Sequence, residues 1–156
     1  MKSLENGVLY LSREDVLEYI KNRPPLLMIE EAYVIPGECA YSEMILKDDA
    51  WYFKCHFPGN PMMPGVLQLE SIFNTAALPI KLLEGNKYKT TNIAEVKKVH
   101  YRKHIRPGDK IRIDVKINKN RRGLSFMDGR IKAGDEICCE AEFVLVILDD
   151  ILNVEQ

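Results

Sequence analysis

The stretch His56-Phe57-Pro58-Gly59-Asn60-Pro61-Met62-Met63-Pro64-Gly65-Val66-Leu67-Gln68-Leu69-Glu70 changes character half-way along. Its first half cannot be a helix or an inner strand. Pro58, Pro61 and Pro64 each fix φ and remove a backbone donor, and Gly59 permits a turn. Its second half reads as the start of a helix, with Pro64 at the first helical position. Val66, Leu69, Phe73, Ala76, Ala77 and Ile80 then recur at helical spacing. Glu70 falls inside that apolar stripe, where a carboxylate is costly unless it is paired or used. A rigid loop bearing His56 therefore feeds a helix bearing Glu70.

The helix is apolar on more than one side, since Leu67 and Ile72 lie off the main stripe. That pattern predicts a wrapped core helix. Pro79 conflicts with it, and a kink or break is expected near Leu78, with the helix ending before Gly85.

The chain has 156 residues, enough for one domain with a real core, expected to span residues 1–156. Hydrophobic residues make up 46% and charged residues 29%, which argues against disorder. A net charge of −1 gives no global field for nucleic acid or membranes. No run of about 18 apolar residues could span a bilayer. Glu5, Asn6, Arg13 and Glu14 interrupt any signal-peptide core, so a cytoplasmic location is expected. Cys39, Cys55, Cys138 and Cys139 read as reduced thiols, with Cys138 and Cys139 on opposite faces of a strand. Cys55 reads as a core residue, because adjacent Cys and His rarely chelate one metal.

Around the central helix, Ser12 and Asp15 cap a short helix over Arg13 to Ile20, stopped by Arg23-Pro24-Pro25. A strand is expected from Leu26 towards Val34, then a turn at Pro36-Gly37 and a returning strand from Cys39 to Leu46. In Lys110–Asn118, Ile111, Ile113, Val115 and Ile117 alternate with polar residues as a half-buried strand does. Turns at Pro107-Gly108-Asp109, Asn120–Gly123 and Gly134-Asp135 separate it from strands at Leu124–Ala133, bent at Gly129, and Glu136–Leu148. The tail after Asp150 is polar and expected to fray. The class is α+β.

The loop-and-helix stretch resembles the active-site signature of the 3-hydroxyacyl-acyl-carrier-protein dehydratases. Their pattern His-Phe-Pro-Gly-x-Pro-x-x-Pro-Gly-Val-Leu-x-x-Glu is filled at every fixed position from His56 to Glu70. A weaker resemblance extends from about Arg23 to Leu148. It implies a hot-dog fold, in which a curved antiparallel sheet wraps one long helix. It also implies conversion of 3-hydroxyacyl groups on acyl carrier protein to trans-2-enoyl groups, without metal or dissociable cofactor. The family places the residues matching His56 and Glu70 in one site from two subunits of a dimer. The amide matching Gly65 binds the thioester carbonyl. The chain departs from the family at Asn22 (often His), Cys55 (commonly Gly), Ser71 (often Ala) and Asn74 (often Gln).

The chemistry suits these residue types. Dehydration needs a base for the C2 proton, and histidine's ordinary pKa lies near neutrality. It needs an acid for the C3 hydroxyl, and an apolar helix face favours the protonated carboxyl. It needs donors for the growing negative charge on the thioester carbonyl, which the free amides of a helix N-terminus supply. Gly65 and Val66 are the candidates. Taken singly, a loop histidine is most often structural and a helix glutamate most often solvent-facing. The Pro/Gly scaffold between them makes the pair. Met62 and Met63 read as pocket or core fillers.

A basic cluster, Lys97, Lys98, Arg102, Lys103 and Arg106 with Lys110 and Arg112, is either a solvated strand face or a dock for acidic acyl carrier protein. His100 and His104 within it read as surface or strand residues. Three other functions are compatible with the fold. A non-catalytic acyl-binding or partner protein would fit the departures around the site. A hot-dog thioesterase should lack the His-Pro-Gly signature. An isomerase of the same family usually has Asp where Glu70 stands.

Overall fold

The computed structural model describes residues 1–149; the expected frayed tail after Asp150 lies outside them. Its elements are β1 (Lys2–Ser3), β2 (Leu9–Leu11), α1 (Arg13–Tyr19), β3 (Ala32–Ile35), β4 (Cys39–Ile45), α2 (Gly65–Lys81), β5 (Thr90–Tyr101), β6 (Lys110–Arg121), β7 (Leu124–Ala133) and β8 (Glu136–Leu148). The strands form one antiparallel sheet in the order β1-β2-β3-β4-β6-β7-β8-β5, and β3 to β8 all touch α2. This is the hot-dog arrangement the resemblance implies. The hairpins β3–β4, β6–β7 and β7–β8 follow the sequence, but β5 does not join β6. It crosses to the far side of β8 and ends the sheet.

The core forms where the periodicities predict. Ile111, Ile113 and Val115 of β6 are buried in one cluster with Ile72, Ala76, Leu78 and Ile80 of α2. Ser12 and Asp15 close a reciprocal capping box on α1. Arg23 does not merely stop that helix: its guanidinium donates to the Ile20 and Asn22 carbonyls, at 2.7 and 2.9 Å.

Several expectations need correction. The strand expected from Leu26 is confined to Ala32–Ile35, because the Met28 amide donates to the Asn74 side chain (2.8 Å) instead of to a ladder. Helix α2 runs unbroken through Pro79 to Lys81. Pro79 stands two residues from the last helical residue; it forgoes the bond to the Thr75 carbonyl, and the Gly37 amide separately caps the Pro79 carbonyl at 2.8 Å. Pro64 is the residue before the helix, and Gly65 is its first. Cys138 and Cys139 are both fully buried, because the β7–β8 ladder skips Cys138 at a bulge. Cys55 is exposed, at the end of the short turn that buries Tyr52 and Phe53.

Both ladders of β7 run regularly through Gly129, with no bulge there. A Cβ there would sit 2.3 Å from Cγ2 of Ile72, so glycine lets the sheet approach α2. Ile72 is fully buried and stiff at χ1, and cannot yield. Gly129→Ala should lower unfolding free energy by about 1–3 kcal/mol in urea titration. Adding Ile72→Leu, which removes the offending methyl, should restore part of that loss.

Candidate active site

The loop before α2 closes on itself. Phe57 and Asn60 exchange backbone bonds (3.2 and 2.9 Å) around Pro58-Gly59, and Gly59 takes φ +78°, which only glycine adopts freely. The Met62 amide returns to the His56 carbonyl at 2.8 Å, and the Met63 amide binds the Ile105 carbonyl at 2.8 Å. Arg106 braces the loop from outside through Asn60 Oδ1 (3.0 Å) and the Pro61 carbonyl (3.3 Å). Gln68, buried on α2, donates from Nε2 to the Met63 carbonyl at 3.1 Å.

This scaffold fixes the tautomer of His56. Its Nδ1 lies 3.0 Å from the Met62 carbonyl, which can only accept, so Nδ1 carries the hydrogen. In the neutral ring Nε2 then has the lone pair, the arrangement a general base uses. The ring is half-buried and stacks on Phe57 at 4.0 Å.

His56 shares a cleft with Met62, Met63, Gly65, Gln68 and Tyr101. The Leu67 and Gln68 amides both bind the Pro64 carbonyl. The Gly65 and Val66 amides precede them and have no carbonyl one turn back within the helix. A Cβ on Gly65 would lie 2.7 Å from the Tyr101 ring, so glycine is required for that ring to close the cleft. Val66 is not part of a buried stripe; its side chain is 72% exposed.

Glu70 is half-buried in a second recess with Asn22, Phe73, Asn74, Ile93 and Leu145. Its Oε1 accepts from Asn22 Nδ2 (2.7 Å) and from Asn74 Nδ2 (2.9 Å). Its surroundings are therefore amide as well as apolar. Within one chain His56 and Glu70 line different recesses.

Of the departures from the family pattern, Asn22 and Asn74 meet on one oxygen of Glu70. Ser71 is fully buried and satisfied by the Gln68 carbonyl at 2.7 Å, and lines neither recess.

The basic cluster is largely neutralised. Lys98 pairs with Glu142 (3.8 Å) across the β5–β8 ladder, and just beyond the end of β5 Arg102 pairs with Glu140 (2.7 Å) and Lys103 with Glu136, both on β8. Lys97 sits 4.9 Å over the Phe126 ring. Arg102, Lys103 and His104 nevertheless rim the His56 cleft. Tyr101, Gln68 and His104 were not legible as cleft residues. Gln68 occupies an open position of the motif, and Tyr101 and His104 reach the cleft only because β5 crosses the sheet.

A family model described as a FabA-like domain matches residues 21–142. The chain belongs to that family. It is 33% identical over 140 residues to the 3-hydroxyacyl-acyl-carrier-protein dehydratase FabZ of Chloroflexus aggregans, covering 89% of this chain and 97% of that one. It is 32% identical to the enzyme of the same name from Roseiflexus sp. RS-1, over 88% and 96%. Among solved structures it is similar to the dehydratase heterocomplex ApeI:P from Xenorhabdus doucetiae (TM-score 0.55, 19% identity, 70% of this chain and 88% of that). It is also similar to protein PH1136 from Pyrococcus horikoshii (TM-score 0.59, 18% identity, 76% and 82%). At these identities the structural likeness is one of fold.

Proposed function

We propose that the protein dehydrates 3-hydroxyacyl groups carried on acyl carrier protein to trans-2-enoyl groups, in fatty-acid synthesis. The observation that supports this most is His56, whose Nδ1 is held by the Met62 carbonyl, in a cleft that Gly65 at the start of α2 also lines. In this reading His56 Nε2 takes the C2 proton. The Gly65 and Val66 amides receive the thioester oxyanion, and Glu70 protonates the departing hydroxyl. A non-catalytic acyl-binding protein would have no need of the fixed tautomer. Incubation with a 3-hydroxyacyl carrier-protein substrate, followed by mass spectrometry, tests the reading: the enoyl product should appear with the loss of one water.

The reading includes a homodimer in the cytoplasm. Strand β5 ends the sheet and is exposed along most of its length. Such an edge invites pairing with a second copy. Tyr101 and Val66, 51% and 72% exposed, are apolar surface beside the His56 cleft that a second chain would cover. Such a pairing would let Glu70 of one chain complete the site of His56 in the other.

For the carrier protein, the cations at the cleft rim are the proposed contact. Arg102→Glu with Lys103→Glu should raise KM for a carrier-protein substrate by about tenfold at low salt, while use of a short thioester analogue changes little. The difference should shrink at high salt, where exposed charges are screened beyond about 8 Å or less. Equal loss on both substrates would assign these residues to the fold alone.

A further inference from the structure

The two amides on Glu70 do more than bury it. Both reach Oε1, and among the described residues no hydrogen bond reaches Oε2. The orientation of Asn74 is fixed independently: its Oδ1 accepts the Met28 amide at 2.8 Å, so its Nδ2 must face the carboxyl. Asn74 is one turn beyond Glu70 on α2, whereas Asn22 comes from the loop after α1. That loop is thus tied to α2 twice, through Asn22 to Glu70 and through Met28 to Asn74.

A carboxyl oxygen has two lone-pair directions in its plane, and two donors fill both. An oxygen so occupied cannot also carry the acidic hydrogen without driving it against an N–H group. We propose that Asn22 and Asn74 are positioning residues that hold Oε1 as the acceptor and leave Oε2 as the oxygen that carries and delivers the proton. This rests on the dehydratase reading above. The step balances as follows. His56 Nε2 takes the C2 proton, and the C2–H electron pair becomes the second bond of C2=C3. The C3–O bond breaks, and the departing oxygen takes hydrogen from Oε2 and leaves as water. Glu70 ends as carboxylate and His56 as imidazolium, and the proton passes between them through solvent before the next turnover.

The positioning role predicts a loss in the proton-delivery step and not in binding. Asn22→Ala should lower kcat about tenfold, the rate equivalent of one hydrogen bond to a charged group, with KM held within about twofold. The solvent deuterium isotope effect on kcat should rise, because protonation of the leaving hydroxyl becomes slower. The isosteric Asn22→Asp keeps the volume but loses the donor and should show at least the same loss, which guards against a packing defect in the alanine variant. Asn22→His, which keeps an N–H in place, should recover most of the rate. Wild-type kcat in Asn22→Ala, or equal loss in the alanine and histidine variants with an unmoved isotope effect, would overturn the proposal. Failure of the underlying reading looks different: wild-type protein would then give no enoyl product at all.

Discussion

His56→Ala and Glu70→Gln should each lose on the order of 100-fold or more in dehydration rate while remaining folded, as removal of a general base or acid does. The geometry says why the losses should be chemical. His56 bonds through Nδ1 to the Met62 carbonyl, but the loop is also closed by the Phe57–Asn60 exchange, by the Met63–Ile105 bond and by Arg106. Deleting one ring leaves that frame. Glu70→Gln keeps the side-chain length and an oxygen to accept from Asn22 and Asn74, but replaces the acidic hydrogen with an amide that cannot transfer one. Melting temperatures close to wild type should therefore accompany the lost activity. Activity within a few-fold of wild type in either variant would remove that residue from the mechanism.

The sequence and the structure agree best where a residue's role is local. The prolines and Gly59 dictate a tight loop whatever surrounds them. The alternation in β6 dictates a half-buried strand. The Ser12–Asp15 box dictates a helix start. The misreadings arise where a distant group takes over. The strand expected from Leu26 is lost because a side chain 46 residues away, Asn74, accepts the Met28 amide. The Pro79 carbonyl near the end of α2 is capped by the amide of Gly37, which lies far back in the chain. The neighbour that a side chain at Gly129 would strike first is Ile72, on the helix. No window of sequence contains both members of any of these pairs.

The same distinction governs the candidate site. His56, Gly65 and Glu70 could be put forward from sequence because a dense local motif holds them. Their supports were not: Asn22 arrives from an earlier loop, Tyr101 from a strand that crosses the sheet, and Gln68 from an unremarkable motif position. The basic cluster shows the reverse case. It is dense in sequence, yet the glutamates that blunt it, Glu136, Glu140 and Glu142, lie on the neighbouring strand.

Mixing the two inactive variants should restore activity, and this is the sharpest test of the assembled site. In one chain His56 and Glu70 line separate recesses, and β5 leaves the sheet with an open edge. If a second copy pairs there, each site takes His56 from one chain and Glu70 from the other. A heterodimer of His56→Ala with Glu70→Gln then holds one site with both residues damaged and one with both intact. Random subunit exchange makes half the dimers hybrid, each with one good site of two, so activity should return to about a quarter of wild type. The measurement is the enoyl-forming rate after exchange, with the hybrid fraction counted by native mass spectrometry. Separate unmixed variants stay below about one hundredth of wild type, so the recovered signal stands well clear of background. Confirmed hybrids without recovered activity would mean that the two residues serve one site within a single chain, and the shared site would be wrong.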